Sequence, residues 1–210
     1  MKIEKIVTKT YQTNVYIVYD EASGSGAVID PGGESAQILS FLRESDIKVG
    51  YILLTHGHFD HIMAVKDVAL SIGAPVAAHA HEREMLGDSG LNFSREVFGS
   101  DYVLSPNVLL KDGDILNVGG VSIKVVATPG HTKGGVCFYL EEDGVLFSGD
   151  TLFYESIGRT DFPGGNFGTL ESSVQNKLYT LPAETMVYPG HSRLTTIEHE
   201  RKNNPYIKPL

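Results

Sequence analysis

The sequence predicts an α/β fold in which two β-sheets pack face to face and helices cover their outer surfaces. Strand-like runs rich in Val, Ile and Tyr are followed by a helix, a strand and a second helix, and a second β-rich segment is again followed by a helix and a strand. This order indicates two similar halves, each of which would bury one face of its sheet against the other. No linker-like composition interrupts the chain, so we expect one domain over residues 1–210.

The first half contains predicted strands and helices that are bounded by turn residues. The strands are 2–8, 14–20, 26–29, 51–54 and 76–78, and the helices run from the Pro31-Gly32-Gly33 turn to about residue 45 and from 61 to 72. Gly73-Ala74-Pro75 is expected to stop the second helix. Beyond it, residues 81–106 lose a clear period. A long irregular connection of this kind serves either as a lid or binding loop or as a surface connection.

The second half is predicted to contain further strands and one long helix. The strands are 108–110, 114–118, 121–127, 135–140, 144–148 and 185–188, and the helix is 168–180. Asp112-Gly113 and Gly119-Gly120 have the composition of tight hairpin turns. We therefore expect the strands on either side of each turn to pair as neighbours.

Composition excludes several classes of protein. The formal net charge of −9 argues against non-specific nucleic-acid binding, because that affinity comes from neutralisation of phosphates by Lys and Arg. Cys137 is the only cysteine, which excludes an intrachain disulfide and favours a reducing compartment. The charged N-terminus does not build the apolar core of a signal peptide, and no apolar run approaches the length of a membrane-spanning helix. We expect a cytoplasmic protein that binds neither nucleic acid nor membrane.

The densest group of ligand-type residues follows the apolar strand 51–54. The run Thr55-His56-Gly57-His58-Phe59-Asp60-His61 ends with three imidazoles and a carboxylate within six residues. Alternate side chains of an extended segment point the same way, so His56 and His58 can converge on one metal ion. Asp60 and His61 begin a helical pattern, so their side chains are expected to point away from those of His56 and His58 and could hold a second ion nearby. The spacing predicts a metal site.

Three further ligand-type residues, His131, Asp150 and His191, each follow a predicted strand and stand directly after a glycine. Sites in sheet-based folds collect beyond the carboxyl ends of strands. Glycine at such a position permits φ > 0 and a close approach of the backbone. We therefore expect all three side chains to meet the opening group at one edge of the fold.

Seven ligands are too many for one tetrahedral ion and suit two. We assign His56, His58 and His131 to the first ion and Asp60, His61 and His191 to the second. Asp150, which has two carboxylate oxygens, is the expected bridge, and Asp60 and Asp150 are the candidates for a direct part in catalysis. Because all the donors are nitrogen or oxygen, the set suits two Zn²⁺ per chain, with Fe or Mn as alternatives.

The His-x-His-x-Asp-His motif at 56–61, together with His131, Asp150 and His191, resembles the metallo-β-lactamase fold family of hydrolases. Thr128-Pro-Gly-His-Thr and Gly149-Asp-Thr-Leu-Phe153 resemble its glyoxalase II (hydroxyacylglutathione hydrolase) branch, as does Gly158-Arg159-x-Asp161-Phe162. The resemblance implies an αββα sandwich of two mixed sheets with a binuclear site, usually zinc, at one edge. The chain ends soon after His191 and lacks the basic helical extension with which full-length glyoxalase II grips glutathione. It therefore resembles the short, single-domain bacterial members, and the thiol carrier stays open.

The resemblance implies hydrolysis of a small-molecule acyl thioester. Zinc lowers the pKa of bound water to about 7, so a metal-held hydroxide could attack the acyl carbonyl. A thiol of pKa about 8.5 can then depart as thiolate without a general acid. The run at 158–162 also resembles persulfide dioxygenases, in which one Fe(II) would use His56, His131 and Asp150. A vestigial binding module would have lost one or more ligands, and none of the seven is missing. A nuclease is expected to need a basic groove or an added domain and a secreted β-lactamase a signal peptide, and we see none of these features in the sequence.

Several other positions carry alternatives that the sequence leaves open. Lys133 is either a cation for an anionic substrate or a solvated loop lysine, and Arg159 either binds a substrate carboxylate or forms a structural ion pair. Asp30 either orients a ligand histidine or caps its own turn. His79 and His81 form a second His-x-His, which we interpret as structural because no acidic or imidazole partner stands near it in sequence.

Overall fold

Two six-stranded sheets lie at the centre of the fold in a computed structural model that describes residues 1–210. The strands of the first sheet, in their spatial order, are β1 (Lys2–Val7), β2 (Asn14–Asp20), β3 (Ser25–Ile29), β4 (Lys48–Leu53), β5 (Val76–His79) and β6 (Val108–Leu110). β1, β2 and β3 form an antiparallel meander, and β4, β5 and β6 then add in parallel to β3.

The second sheet repeats this plan. Its strands are β7 (Ile115–Val118), β8 (Val121–Ala127), β9 (Val136–Leu140), β10 (Val145–Gly149), β13 (Met186–Pro189) and β14 (Thr195–Thr196), and a small separate hairpin contains β11 (Leu152–Phe153) and β12 (Ser156–Ile157). β8, β9 and β10 form an antiparallel meander to which β13 adds in parallel. The two similar halves that the sequence predicts are therefore present.

Helices cover the outer faces of both sheets. They are α1 (Ser35–Glu44), α2 (Phe59–Ile62), α3 (Val65–Ile72), α4 (Arg83–Leu86), α5 (Ser94–Phe98), α6 (Phe167–Ser173) and α7 (Ile197–Asn203), with a 3₁₀ turn at Ala80–Glu82 and a π-helical turn at Val174–Leu178. The predicted sandwich of two facing sheets with helices outside is confirmed. No helix combines the length and the apolar character that crossing a bilayer requires.

Side-chain alternation along the strands builds three apolar layers. In β2, Tyr16 and Val18 join the 16-residue core between the sheets. Val15 and Ile17 point the other way into a 17-residue core under α1 and α3. A third core of 10 residues lies between the second sheet and the helices on its outer face. Strands that are buried on both faces read as nearly continuous apolar runs, as β2 does.

Two predicted elements differ from the structure. The helix predicted over 61–72 is divided into α2 and α3, because the N–H of Ala64 donates to the carbonyl oxygen of Pro31 (2.9 Å) instead of continuing one helix. The hairpin predicted at Asp112-Gly113 is wrong, since β6 belongs to the first sheet and β7 to the second. Asp112 Oδ1 accepts from the N–H of Ala127 (2.7 Å), so this turn is attached to β8 and carries the chain between sheets.

The predicted hairpin at Gly119-Gly120 is confirmed, with Val118 paired to Val121 across it. The irregular segment 81–106 contains α4 and α5. The helix predicted over 168–180 is α-helical only as far as Ser173 and continues as the π-helical turn.

Candidate metal centre

The predicted ligands lie at one edge of the sandwich. β8, β10 and β13 run in the same direction in the second sheet, so His131, Asp150 and His191, which follow them, meet at one edge. The end of β4 in the facing sheet brings His56 to the same place. His58 has an extended backbone (φ −67°, ψ 147°) and stands directly before α2, which carries Asp60 and His61.

The first predicted set, His56, His58 and His131, converges closely. One ligand-type atom from each lies within 4.8 Å of the others. His58 Nδ1 and His131 Nε2 are 2.9 Å apart. All three residues are buried. The structure thus brings together a three-imidazole group of the kind that binds Zn²⁺.

The second predicted set, Asp60, His61 and His191, forms a neighbouring group of the same size. Asp60 Oδ2 lies 3.1 Å from His191 Nε2 and 3.6 Å from His61 Nε2. The two imidazole Nε2 atoms are 3.4 Å apart. Thr13 Oγ1 donates to Asp60 Oδ2 (3.1 Å) and helps to orient this carboxylate.

Asp150 lies between the two groups. Its Oδ1 is 3.3 Å from His61 Nε2, and its Oδ2 is 3.6 Å from His131 Nε2 and 3.7 Å from His191 Nε2. One carboxylate therefore lies close to nitrogen atoms of both sets, the position predicted for a shared ligand.

Hydrogen bonds to the outer nitrogen of three imidazoles leave the inner nitrogen free. His61 Nδ1 donates to Asp30 Oδ2 (2.9 Å), and His131 Nδ1 donates to the carbonyl oxygen of Arg159 (2.6 Å). Thr55 Oγ1 donates to Asp30 Oδ2 (2.5 Å) and can therefore accept from His56 Nδ1 (3.1 Å). In each ring the contact at Nδ1 directs Nε2 into the centre, as in carboxylate-histidine-metal arrangements.

Asp30 accordingly supports the centre rather than only capping a turn. Its Oδ1 accepts from the N–H of Thr55 (2.7 Å), so both carboxylate oxygens are engaged. Asp30, His56 and His61 form a third close group. Because the Asp30 oxygens already accept three hydrogen bonds, we interpret this residue as an orienting partner.

Buried atoms without partners indicate that a cation fits here. His56 Nε2 and Asp150 Oδ1 are buried and have no hydrogen-bond partner. Leaving such groups unpaired is costly, whereas a divalent ion would satisfy them. His58 Nε2 is also unpartnered, and this ring is held instead by contacts with Phe93 and Phe162 at centroid distances of 5.5 and 5.6 Å.

The electrostatics of the centre keep the nitrogen lone pairs of His56 and His58 and the negative charge of Asp150 available. Burial lowers the pKa of His58 to about 3 and also lowers the pKa of His56. Burial opposes ionisation of Asp150, but His61, together with His56 and His191, outweighs it and holds the pKa of this carboxyl well below its ordinary value. Burial also opposes protonation of His61, but Asp150 and Asp60 raise its pKa well above the ordinary value. The two carboxylates therefore favour a positive charge between them, either a proton on His61 or a metal ion.

Glycine permits the close packing of these strand ends. A Cβ atom at Gly190 would lie 2.4 Å from Asp150 Oδ1 and 2.6 Å from His61 Cε1. Gly149 has a φ of 48°, and a Cβ there would lie 2.3 Å from Thr55 Oγ1. A side chain at either position would displace a residue of the centre.

A cavity of about 460 Å³ opens onto both donor sets. Outside the donor sets its wall is mostly apolar and contains Phe59, Phe93, Val97, Phe153, Ile157 and Phe162. Phe93 and Phe162 contact each other with centroids 4.7 Å apart. Glu96 and Arg159 are the charged side chains of this wall outside the donor sets.

The two candidate substrate-binding residues occupy different places. Arg159 lines the cavity, pairs with Asp161 through two contacts of 2.7 and 2.9 Å, and lies over the Phe162 ring. Lys133 is exposed, lies 3.4 Å from Glu84 and does not line this cavity. The structure brings Arg159 to the donor sets and leaves Lys133 apart from them.

Sequence reasoning missed Phe93 and Glu82. Phe93 has a left-handed backbone (φ 66°), an uncommon conformation for a bulky residue that marks strain near functional sites. The sequence indicated only that Phe93 lies in the irregular segment 81–106. No sequence pattern indicated a role for Glu82, because the residues that it contacts, Gly57 and Gly134, are distant in sequence.

His79 and His81 contact each other but belong to none of the close donor groups. We expect His79→Ala to leave the metal content per chain unchanged, because this ring contributes to neither set. Elemental analysis of the purified variant beside the unaltered protein checks this. Loss of one ion per chain would show that the second His-x-His binds metal.

Comparison with known proteins identifies the class that this fold and centre define. The family model of the metallo-β-lactamase superfamily matches residues 8–191. The chain belongs to this superfamily of metal-dependent hydrolases, whose fold binds divalent metal ions. The predicted family and the general metal-dependent hydrolase class are therefore confirmed.

Three relatives illustrate the range within the superfamily. The chain is 35% identical to hydroxyacylglutathione hydrolase GloC of Haemophilus influenzae, with 99% of this chain and 98% of GloC covered. It resembles the crystal structure of BLEG-1 B3 metallo-β-lactamase with a TM-score of 0.92 and 39% identity, over 98% of this chain and 99% of BLEG-1. It resembles TTHA1623 in a di-iron-bound form with a TM-score of 0.85 and 33% identity, over 97% and 100% of the two chains.

Proposed function

We propose that this protein hydrolyses acyl thioesters of small molecules and uses two divalent ions, most simply two Zn²⁺, to do so. The observation that carries the proposal is the position of Asp150, which lies within 3.3 to 3.7 Å of imidazole nitrogens from both donor sets. The first ion is assigned to His56, His58 and His131 and the second to Asp60, His61 and His191, with Asp150 shared. The similarity to GloC supports the thioester class, and the di-iron-bound relative supports two ions and keeps iron as an alternative to zinc.

Divalent ions bound here would supply Lewis acidity and lower the pKa of water into the neutral range. Asp150 and Asp60 would contribute the negative charge that holds such ions, and Asp60 is itself oriented by Thr13. Asp30, Thr55 and the carbonyl oxygen of Arg159 fix the orientation of the His61, His56 and His131 rings. These contacts order the centre before substrate arrives, which reduces reorganisation during reaction.

The remaining cavity residues suit a thioester. The apolar wall around Phe93 and Phe162 can exclude water from the acyl group and the sulfur. Apart from the metal donors, Glu96 and Arg159 are the titratable groups of the wall, and Arg159 is paired with Asp161. A thiolate leaving group with a pKa of about 8.5 does not need a proton donor. The site therefore contains the groups that this reaction requires.

Metal analysis combined with a substrate comparison tests the proposal. We expect about two ions per chain, in agreement with two complete ligand sets, and hydrolysis of S-lactoylglutathione or of the neutral S-lactoyl-N-acetylcysteamine. A cephalosporin is included because of the likeness to BLEG-1. Two ions with no turnover of either thioester, or faster turnover of the cephalosporin, would contradict the thioester assignment.

A persulfide dioxygenase is the second candidate. The observation that favours it is that His56 and His131 belong to one close donor group and that Asp150 Oδ2 lies 3.6 Å from His131 Nε2. Two histidines and one carboxylate are the donors that non-haem Fe(II) uses. Such an enzyme would contain one iron per chain and consume O₂ with glutathione persulfide. Oxygen-electrode measurements on the iron-loaded protein separate this function from hydrolysis, which consumes no O₂.

A further inference from the structure

Glu82 is a buried carboxylate outside both donor sets. It ends the 3₁₀ turn after β5 and is 1% exposed. Burial raises the pKa of its carboxyl. Because burying a carboxylate is costly unless it is hydrogen-bonded, the partners of Glu82 show what its burial achieves.

Those partners are two backbone N–H groups from separate loops. Gly57 N–H donates to Glu82 Oε2 (2.7 Å), and Gly134 N–H donates to Glu82 Oε1 (2.8 Å). Gly57 stands between His56 and His58, and Gly134 stands three residues after His131. One carboxylate therefore joins the two loops that carry every member of the first donor set.

The two glycines pack tightly against Glu82. A Cβ atom at Gly57 would lie 3.0 Å from Glu82 Oε2, and a Cβ atom at Gly134 would lie 2.6 Å from the backbone nitrogen of Glu82. The two loops therefore contact Glu82 directly, and the length of its side chain determines their separation.

The second donor set is supported by other residues. His61 is held by Asp30, and Asp60 accepts from Thr13. Neither makes a hydrogen bond to Glu82, whose two oxygens are engaged by Gly57 and Gly134. Glu82 therefore contacts the loops of the first donor set and makes no hydrogen bond to His61 or Asp60 of the second.

We propose that Glu82 is a positioning residue that sets the distance between the His56–His58 loop and the His131 loop and so strengthens metal binding by the first set alone. The proposal rests on the assignment of the two sets made under the proposed function. It predicts an effect on metal affinity that differs between the sets, which a general loss of stability would not produce.

The test uses two parent proteins that each retain one complete set. His191→Ala retains the first set and His58→Ala retains the second. We expect Glu82→Gln to weaken Zn²⁺ binding by about 10- to 100-fold in the His191→Ala parent, the range for residues that orient metal ligands. In the His58→Ala parent the affinity should change by no more than about twofold, as for non-interacting sites. Competition with a chromophoric zinc chelator measures both.

Glu200→Gln is the matched control, because Glu200 is also a fully buried carboxylate and accepts from Thr195 Oγ1 (2.6 Å) and the N–H of Glu155 (3.0 Å). The Glu200→Gln variant should leave the Zn²⁺ affinity of the first donor set unchanged. If Glu82→Gln gives no cooperative unfolding transition, Glu82→Asp replaces it, since the shorter carboxylate cannot reach both N–H groups.

Three outcomes separate the proposals. Equal weakening in both parents, or no weakening in His191→Ala, would overturn the role of Glu82 while leaving the proposed function intact. A His191→Ala parent that takes up no Zn²⁺ would overturn the assignment of the first set and the role of Glu82 together. Weakening confined to the first set supports both.

Discussion

Asp150→Ala is expected to reduce thioester hydrolysis by well over about 100-fold and to lower the metal content per chain. Loss of a residue that only orients a metal ligand costs roughly 10- to 100-fold, and Asp150 instead contacts both donor sets directly. Removing its carboxylate also removes negative charge from a centre that contains several imidazoles. Steady-state kinetics and elemental analysis of the same preparation measure the two effects.

The matched control is Asp143→Ala, which removes an exposed carboxylate from the turn between β9 and β10. It should retain full activity and metal content. An Asp150→Ala protein with both ions and normal turnover would refute the bridging assignment. A protein that keeps its ions but loses turnover would instead show that Asp150 acts on the substrate without holding metal.

Removal of metal by a chelator is expected to abolish activity and to lower the melting temperature by about 8–16 °C per ion lost. An ion present at about 1,000 times its Kd stabilises the folded state by about 4.1 kcal/mol, and about 1 kcal/mol corresponds to roughly 2–4 °C for a chain of this size. The physical cause is that His56 Nε2 and Asp150 Oδ1 are buried without another partner. Differential scanning calorimetry with and without chelator measures the change.

Restoration of both activity and melting temperature by added Zn²⁺ excludes irreversible damage by the chelator. His79→Ala serves as the control, because its melting temperature should fall by the same amount on chelation. An unchanged melting temperature after complete metal removal would contradict the conclusion that these buried atoms are satisfied by metal ions.

Local sequence patterns were sufficient for the fold class and for the convergence of the candidate ligands. A nearly continuous apolar run bounded by turn residues is typical of a strand that is buried on both faces, so β2 was predicted with its observed limits. Glycine before His131, Asp150 and His191 indicated three similar strand ends, and the structure places all three at one edge. These features depend on residues close together in the chain.

Features that depend on distant contacts were not accessible from the sequence. Asp112-Gly113 has the composition of a hairpin turn. Asp112 instead accepts a hydrogen bond from Ala127 of β8, and the turn connects a strand of the first sheet to a strand of the second. Lys133 and Arg159 are both basic loop residues, but only Arg159 lines the cavity.

The amino-acid pattern alone therefore specified the two-sheet architecture and the residues that meet at its edge, because periodicity and strand ends are local properties. Folding decided which nitrogen of each imidazole faces the centre, through Asp30, Thr55 and the carbonyl of Arg159. It also placed Glu82 beneath both loops of the first set. Hydrogen bonds of this kind join segments tens of residues apart, and their geometry exists only once both sheets are packed.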